Sequence, residues 1–556
     1  MKKIIPVMFC GMALAAVVLM PGIALAEEGS EPSSNQAAAA ENQRQTADQQ
    51  SKEKDDNTVV DTAAAPTQKS EVPVTEVEVK DKKDQKTTAK EGGMAVGYKV
   101  ENTATTGPWG NMKLQDTPYS INVIPQELIE NVQASAPDQL FRMNPVTQLY
   151  MPQALNGRPT FNMRGFYSAT SAEDGMSNYN GWGIYLEDVD RVEILTGLSG
   201  FLYGPGNVGG LVNYIPKRPT AEQIANVTIG NYGGGSNYLH GDFGGPVGKD
   251  NKLAYRLNVL AQDGDTAIEN QTLNRKMVSG ALDWHIASNL LVQFNASHQD
   301  YKANGLPTSW GTASGVAYPS APDAEKLWSQ KWTFQKLEAD RAGINLKWDI
   351  SDVFTLRTAY RSAEYNDQTG SLAGTIQNNG TYTEGFSVRA PRTLQTTGSQ
   401  AFLDAHFNTG LIEHKVTMGF YGNTAKWKLH QDSQYSTNLS GSFSFADPVY
   451  VTMPSYAAIG TKPWYTSYDG ANKNYMFGDS IKFNDSWSAL VGLNHGTIIA
   501  KNYNTAGVQT SKYDMSATTP SVSLVYKPVP AVMTYATYME SLEQGQIVTG
   551  TQYTNN

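Results

Sequence analysis

With 556 residues, 43 basic and 53 acidic side chains, the chain carries a formal charge of −10, a balance that makes nucleic acid a poor partner. Only 40% of its residues are hydrophobic, and beyond the N-terminus no run reaches the roughly 18 apolar residues of a membrane helix, which excludes a multispan helical membrane protein. The single cysteine is Cys10, so disulfide scaffolds and cysteine-zinc sites are excluded as well.

Lys2 and Lys3 precede an apolar stretch from Ile4 to Leu25 that ends in Ala24, Leu25 and Ala26. This is the pattern of a signal peptide over residues 1–26 with an A-x-A cleavage site. Its removal takes away Cys10 and leaves 41 basic against 53 acidic residues. Residues 27–97 contain no Phe, Tyr or Trp, cannot bury enough apolar area to fold, and read as a disordered periplasmic tether. Within it VPVTEVEV, residues 72–79, gathers Val72, Val74, Val77 and Val79 around Thr75 into an extended, strand-competent hook.

From residue 98 to 219 the composition becomes that of a small α+β domain. INVI at 121–124, FNMRGF at 161–166, GIYL at 183–186 and RVEIL at 191–195 read as strands, and QELIENV at 126–132 and APDQLFRM at 136–143 as short helices. After residue 220 the pattern is period-2 alternation. Leu253, Tyr255, Leu257, Val259 and Ala261 face one way while Arg256, Asn258 and Gln262 face the other. Leu290, Val292, Phe294 and Ala296, then Ile344, Leu346, Trp348 and Ile350, then Leu403, Ala405 and Phe407 repeat the pattern. About thirteen strands of about ten residues are expected between Ile224 and Met539, with long loops at 302–338, 366–398 and 428–472. Long alternating strands behind a signal peptide fit a transmembrane antiparallel β-barrel better than a soluble β-sandwich, whose strands are shorter. The fold class expected is therefore mainly β, a barrel with an N-terminal α+β plug.

Catalytic motifs are weak. Gly204, Gly206 and Gly209 match G-x-G-x-x-G, but a strand-like LVNYIPKRP with two prolines follows where a helix is required, so these glycines serve tight turns. The seven histidines at 240, 285, 298, 406, 414, 430 and 495 show no metal-ligand spacing. Neither a Ser/His/Asp grouping nor a nucleophile elbow is visible, so no enzyme is expected, and no direct metal ligand or cofactor.

The stretch DTPYSINVIPQELIENV at 116–132, MRGF at 163–166 and the run DRVEILTGLSGFLYGPGNVGGLVNYIPKRP from Asp190 to Pro219 resemble the TonB-dependent outer-membrane receptors, and within them the ferric-siderophore group. Weaker phrases at 407–423, 487–496 and 535–545 extend the resemblance through the barrel. Thr196 and Leu198 stand where the family has the Arg and Pro of its R-G-P, and Arg389, Ala390 and Pro391 resemble only a fragment of a haem-receptor signature. The motif positions carried over are Arg164, Gly165, Glu193, Gly197, Gly204, Gly209, Gly210 and Asn213, as structural residues of the plug.

The resemblance implies a plug inside a 22-stranded barrel in the cell outer membrane. The receptor would be a monomer in contact with outer-membrane lipid. Its cargo would be a ferric siderophore, with iron bound only through that ligand, and TonB, with ExbB and ExbD, would supply energy. The 72–79 hook is then the TonB box, with Val74, Thr75, Val77 and Val79 as contacts through β-augmentation. Tyr179, eleven residues before Asp190, matches a ligand-contacting Tyr of the ferrichrome receptor, and Trp182, Tyr167, Arg158 and Tyr150 are further ligand candidates. Other cargo (haem, cobalamin or a glycan) and a plugged barrel acting as a surface adhesin stay open. About 337 residues after the plug hold about thirteen strands, and the chain ends in polar GTQYTNN. A C-terminally truncated barrel is therefore expected, open along one side, its last strand lacking a neighbour.

Overall fold

The computed structural model describes residues 90–151, 160–168, 171–178, 184–206 and 208–545. The hook at 72–79 lies outside them.

The plug is built on a five-stranded sheet. β1 (Ser120–Pro125) leads into α1 (Gln126–Asn131) and α2 (Pro137–Phe141). Pro137 opens α2 at the position where a missing N–H costs nothing, and the Gln139 carbonyl reaches back to the N–H of Ala136 at 3.1 Å. Then come β2 (Thr147–Met151), β3 (Thr160–Met163), β4 (Phe166–Ser168), β5 (Ser171–Glu173), β6 (Met176–Asn178), β7 (Val189–Thr196), α3 (Gly200–Tyr203) and β8 (Gly210–Pro216). The main sheet has the order β1-β7-β8-β5-β6, with β2-β3-β4 as a smaller sheet beside it. Ile124, Ile129, Leu140, Phe141, Val192, Ile194 and Val212 form the plug core.

Two local expectations are corrected. FNMRGF is not one strand: Arg164 and Gly165, at φ 53° and 85°, turn the chain between β3 and β4. Within GIYL, Ile184 and Tyr185 are not in a strand and Leu186 begins a single 3-10 turn through Asp188. That turn buries Glu187 and Asp188, which the wall of the barrel holds from the other side.

The wall is made of β9 (Ile224–Asn231), β10 (Asn237–Val247), β11 (Leu253–Asp265), β12 (Thr272–Ala287), β13 (Leu290–Asn304), β15 (Phe334–Asp349), β16 (Phe354–Ile376), β18 (Arg392–Thr409), β19 (Ile412–His430), β22 (Trp464–Lys482), β23 (Trp487–Tyr503), β24 (Gln509–Val529) and β25 (Val532–Met539). These thirteen strands pair antiparallel in that order. Tight turns join them at one end. At the other, β14 (Ser309–Thr312), β17 (Thr381–Arg389), β20 (Gln434–Asn438) and β21 (Phe443–Ser444) form a small outer sheet on the projecting end of β16. All the wall strands but β9 and β25, which have eight residues each, are longer than the ten expected, up to 23 in β16, and 366–398 is almost entirely strand, because the sheet continues past the apolar belt.

The two faces of the wall decide its environment. Asn258 and Gln262 are 2% and 3% exposed while Leu257 and Val259, between and beside them, are 37% and 43% exposed. Polar side chains point into the lumen and apolar ones outward, the reverse of a water-soluble sandwich and the pattern of a membrane barrel. Phe294, Ile344 and Tyr360 share one outward row across three strands, as do Met418, Phe477 and Leu493.

In strand order the sheet closes, with β25 beside β9, which corrects the expectation of a sheet left open along one side. The seam differs from every other join. Among the described residues each neighbouring pair from β9 through β25 carries an antiparallel, residue-by-residue ladder. At the closing pair parity forbids one: thirteen antiparallel strands leave the first and last running in the same direction, so β25 and β9 meet as parallel neighbours. Val227 and Ile229 on β9, and Tyr535 and Tyr538 on β25, are exposed there.

Candidate functional site: a plug latched inside the wall

The plug motif residues serve the inside of the plug. Glu193 and Asn213 are directly opposed on β7 and β8. The Asn213 amide donates to the Glu193 carboxylate at 3.0 Å, Ala104 N donates to its other oxygen at 2.5 Å, and Asn213 Oδ1 accepts from Gly175 N at 3.0 Å. Burial raises the Glu193 carboxyl to about 7. Gly210, at φ 138°, lies where a Cβ would stand 2.1 Å from the Leu195 carbonyl, so only glycine lets β8 begin there. Gly197 N donates to Gly209 O at 2.9 Å across the same turn, and Gly204 abuts Asn474 of the wall.

The segment from Lys90 to Ala104 is clasped onto the plug. Met94 N donates to Glu127 Oε1 at 2.8 Å, and Glu101 N and Asn102 N donate to Glu91 Oε1 at 2.6 and 2.9 Å. The segment is thereby joined to α1 through Glu127 and to the central sheet through Ala104 and Glu193.

A band of buried ion pairs locks the plug to the wall. Arg275 of β12 donates to Glu187 at 2.6 Å, with its guanidinium 4.8 Å from the centre of the Tyr185 ring. Arg341 of β15 reaches Asp188 at 3.2 Å and Glu173 at 3.4 Å. Arg361 of β16 bonds Glu173 and lies 3.4 Å from Asp174, whose other cation is Arg218. Burial raises Asp188 to about 6 in spite of Arg341. Sequence reasoning missed this band. Its signal was the arginines at lumen-facing positions of alternating strands, combined with the acidic pair Glu187 and Asp188, but only the register shows that they meet.

Of the ligand candidates, Tyr150 and Tyr167 are described: both are exposed on the smaller plug sheet, edge to face with centroids 5.6 Å apart, beside exposed Phe166. Arg158, Tyr179 and Trp182 lie outside the described residues, as do Val74, Thr75, Val77 and Val79. The wall adds residues that sequence reasoning passed over. Met176 of β6 lies against Gly398, and Asn423 donates to Ser177 O at 3.3 Å. Six residues up β18 from Gly398, about 20 Å at strand rise, Arg392 points into the lumen. It forms a two-pronged bond to Asp367 at 2.7 and 3.0 Å and lies 4.9 Å over the Trp427 ring. An aromatic and guanidinium surface of this kind suits a planar, anionic chelate.

Residues 113–211 match the family described as the TonB-dependent receptor plug domain, and residues 281–556 match the TonB dependent receptor-like β-barrel. The chain belongs to the TonB-dependent receptor family. Its members are receptors and transporters, not enzymes. The ferrichrome receptor FcuA of Yersinia enterocolitica is 24% identical over 464 residues, covering 80% of this chain and 60% of that protein. A metal-pseudopaline receptor of Pseudomonas aeruginosa is 23% identical, covering 81% of this chain and 64% of the receptor. Among solved structures, the ferric preacinetobactin receptor of Acinetobacter baumannii superposes with a TM-score of 0.68 at 24% identity, covering 80% of this chain and 67% of that one. A pyoverdine receptor of Pseudomonas aeruginosa gives 0.68 at 16%, covering 83% and 66%. The chain spans about three fifths of the length of the curated relatives it matches.

Proposed function

We propose that this receptor is an outer-membrane transporter that takes up ferric siderophores at the expense of energy delivered by TonB. The observation that carries the reading is the buried band of ion pairs between plug and wall. A lumen filled by a plug held at Glu173, Asp174, Glu187 and Asp188 is no diffusion pore, so passage requires work on the plug, and the clasp from Lys90 to Ala104 is where a pull enters. The names of the relatives point to iron chelates as cargo, with iron travelling inside its ligand and no resident metal or cofactor required.

In this reading the aromatic pair Tyr150 and Tyr167, with Arg158, Tyr179 and Trp182, forms the plug side of the cargo site, and Arg392 with Trp427 the wall side. Val74, Thr75, Val77 and Val79 pair with TonB as an added strand, and ExbB and ExbD drive TonB. The test is uptake of labelled ferric chelates by cells carrying the receptor, with and without TonB. Uptake that depends on TonB supports the mechanism, and equal uptake in both overturns it. Dependence on TonB with haem, cobalamin or a glycan as the transported compound would replace the cargo and keep the mechanism.

A further inference from the structure

The outer sheet on the projecting end of β16 has its own core, formed by Leu372, Tyr382, Phe386, Val388, Leu439 and Phe443 with Trp310 and Trp332 packed against it. One carboxylate sits inside it. Glu384 lies between Tyr382 and Phe386 on the inner face of β17, 1% exposed and opposite Gly374 of β16. Its Oε2 accepts from Gln330 Nε2 at 2.9 Å, and its Oε1 has no hydrogen-bond partner. Gln330 ties the same point to a third segment, donating to Val449 O at 3.0 Å and accepting from Val451 N at 2.8 Å. Trp332 Nε1 adds a bond to Val451 O at 2.8 Å.

The shell around Glu384 holds little charge. The paired stretch of β16 (370–376), β14 and β21 contain no ionisable side chain, and β20 contributes only Tyr435, which packs against the same core. From 327–334 the only charge is Lys331, whose ammonium lies 4.3 Å over the Tyr450 ring. From 446–459 the ionisable groups are Tyr450, Tyr456 and Asp447, the last accepting from Lys326 at 2.7 Å. On β17 itself they are Tyr382 and, at the far end, Arg389. Among the described residues no cation is bonded to Glu384.

We propose that Glu384 is a protonation-controlled staple: in its neutral form it holds β17, 327–334 and 446–459 together as one outer-loop unit, and on ionisation it releases them. A neutral carboxylic acid suits this buried, cation-free position, whereas a carboxylate leaves there a charge that no cation compensates and that the single Gln330 bond only partly solvates. Burial raises its titration to about 7, with the Gln330 bond working the other way. In the released state the carboxyl titrates at its ordinary value near 4.5. The closed form is therefore favoured fully below about pH 4.5, loses its advantage as pH rises from there to about 7, and is level above that.

The experiment is amide hydrogen exchange on the full chain, reading peptides from 327–334 and 443–459 in the wild type and in Glu384→Gln. The two are compared at the same pH so that intrinsic exchange cancels. The expected exchange ratio of wild type to variant rises about tenfold per pH unit from pH 5 to 7 and levels by pH 8, while peptides from β12 and β13 show a constant ratio. A flat ratio at 327–334 overturns the staple. If Glu384→Gln does not fold, Trp fluorescence of the wild type, reporting Trp310, Trp328 and Trp332, decides. A reversible transition between pH 5 and 7 supports the proposal and a pH-independent signal overturns it.

Discussion

Arg275 of the wall and Glu187 of the plug meet at 2.6 Å with both side chains buried, although 88 residues separate them in sequence. Neither charge has water to fall back on, so the pair is worth more as a lock than as a source of stability. Removing one partner leaves an uncompensated buried charge, whereas removing both does not.

The first prediction follows from that asymmetry. Glu187→Gln should destabilise the plug-wall contact by about 3–5 kcal/mol, seen as faster protease cleavage within the plug of the purified receptor. The double variant Glu187→Leu with Arg275→Met should recover most of the loss. If the double variant is no better than the single one, the pair is not the lock.

Glu193 makes resistance of the plug depend on pH. Its carboxyl is raised by burial to about 7, so the protonated form contributes stability that is complete below about pH 4.5 and lost as pH rises through 7. Protease resistance of the plug should fall between pH 5 and 7.5. Glu193→Gln should show a flat profile at a lower level, because its amide faces the Asn213 amide as donor against donor, a loss of about 1–3 kcal/mol.

Gly210→Ala should fail at the backbone. The positive φ and the 2.1 Å approach of a Cβ to the Leu195 carbonyl force the β7-β8 ladder apart, costing about 1–3 kcal/mol from the dihedral alone. Expression of the variant with a plug less resistant to protease and an unchanged wall is the outcome to look for. Wild-type resistance would show that β8 can start elsewhere.

Replacing Val77 with Pro removes a backbone donor and blocks strand pairing there. Uptake of the ferric chelate should fall to the level of cells lacking TonB, while chelate binding at the cell surface is retained. Unchanged uptake would move the energy-coupling contact to another part of the tether.

At the proposed cargo site, Tyr167→Ala and Trp427→Ala should each weaken chelate binding by about 1–3 kcal/mol if their rings are anchors, with wild-type amounts of receptor in the membrane. Tyr179→Ala tests the positional match in the same assay. Equal affinity for all three variants and the wild type would place the cargo elsewhere.

Much of the architecture could be read from residue order alone, because its signals are local. Alternation at Leu257, Asn258, Val259 and Gln262 gives a strand with two unlike faces whatever it packs against, and the first and last wall strands begin and end at Ile224 and Met539 as the pattern indicates. The glycine turns after Thr196 were legible for the same reason, since a positive φ is a property of one residue. What tertiary structure decided is everything that depends on which strands become neighbours. Nothing near Arg275, Arg341 or Arg361 in sequence marks them as partners of Glu187, Asp188 and Glu173, and Leu186, where the turn to Asp188 begins, reads as the end of a strand until those arginines are placed opposite it. The strand inside 366–398 was missed because Glu384 interrupts the apolar row of Tyr382, Phe386 and Val388, so that only the structure shows how regularly the two faces alternate. The closing of the ring was decided by the curvature of the whole sheet, which no single segment carries.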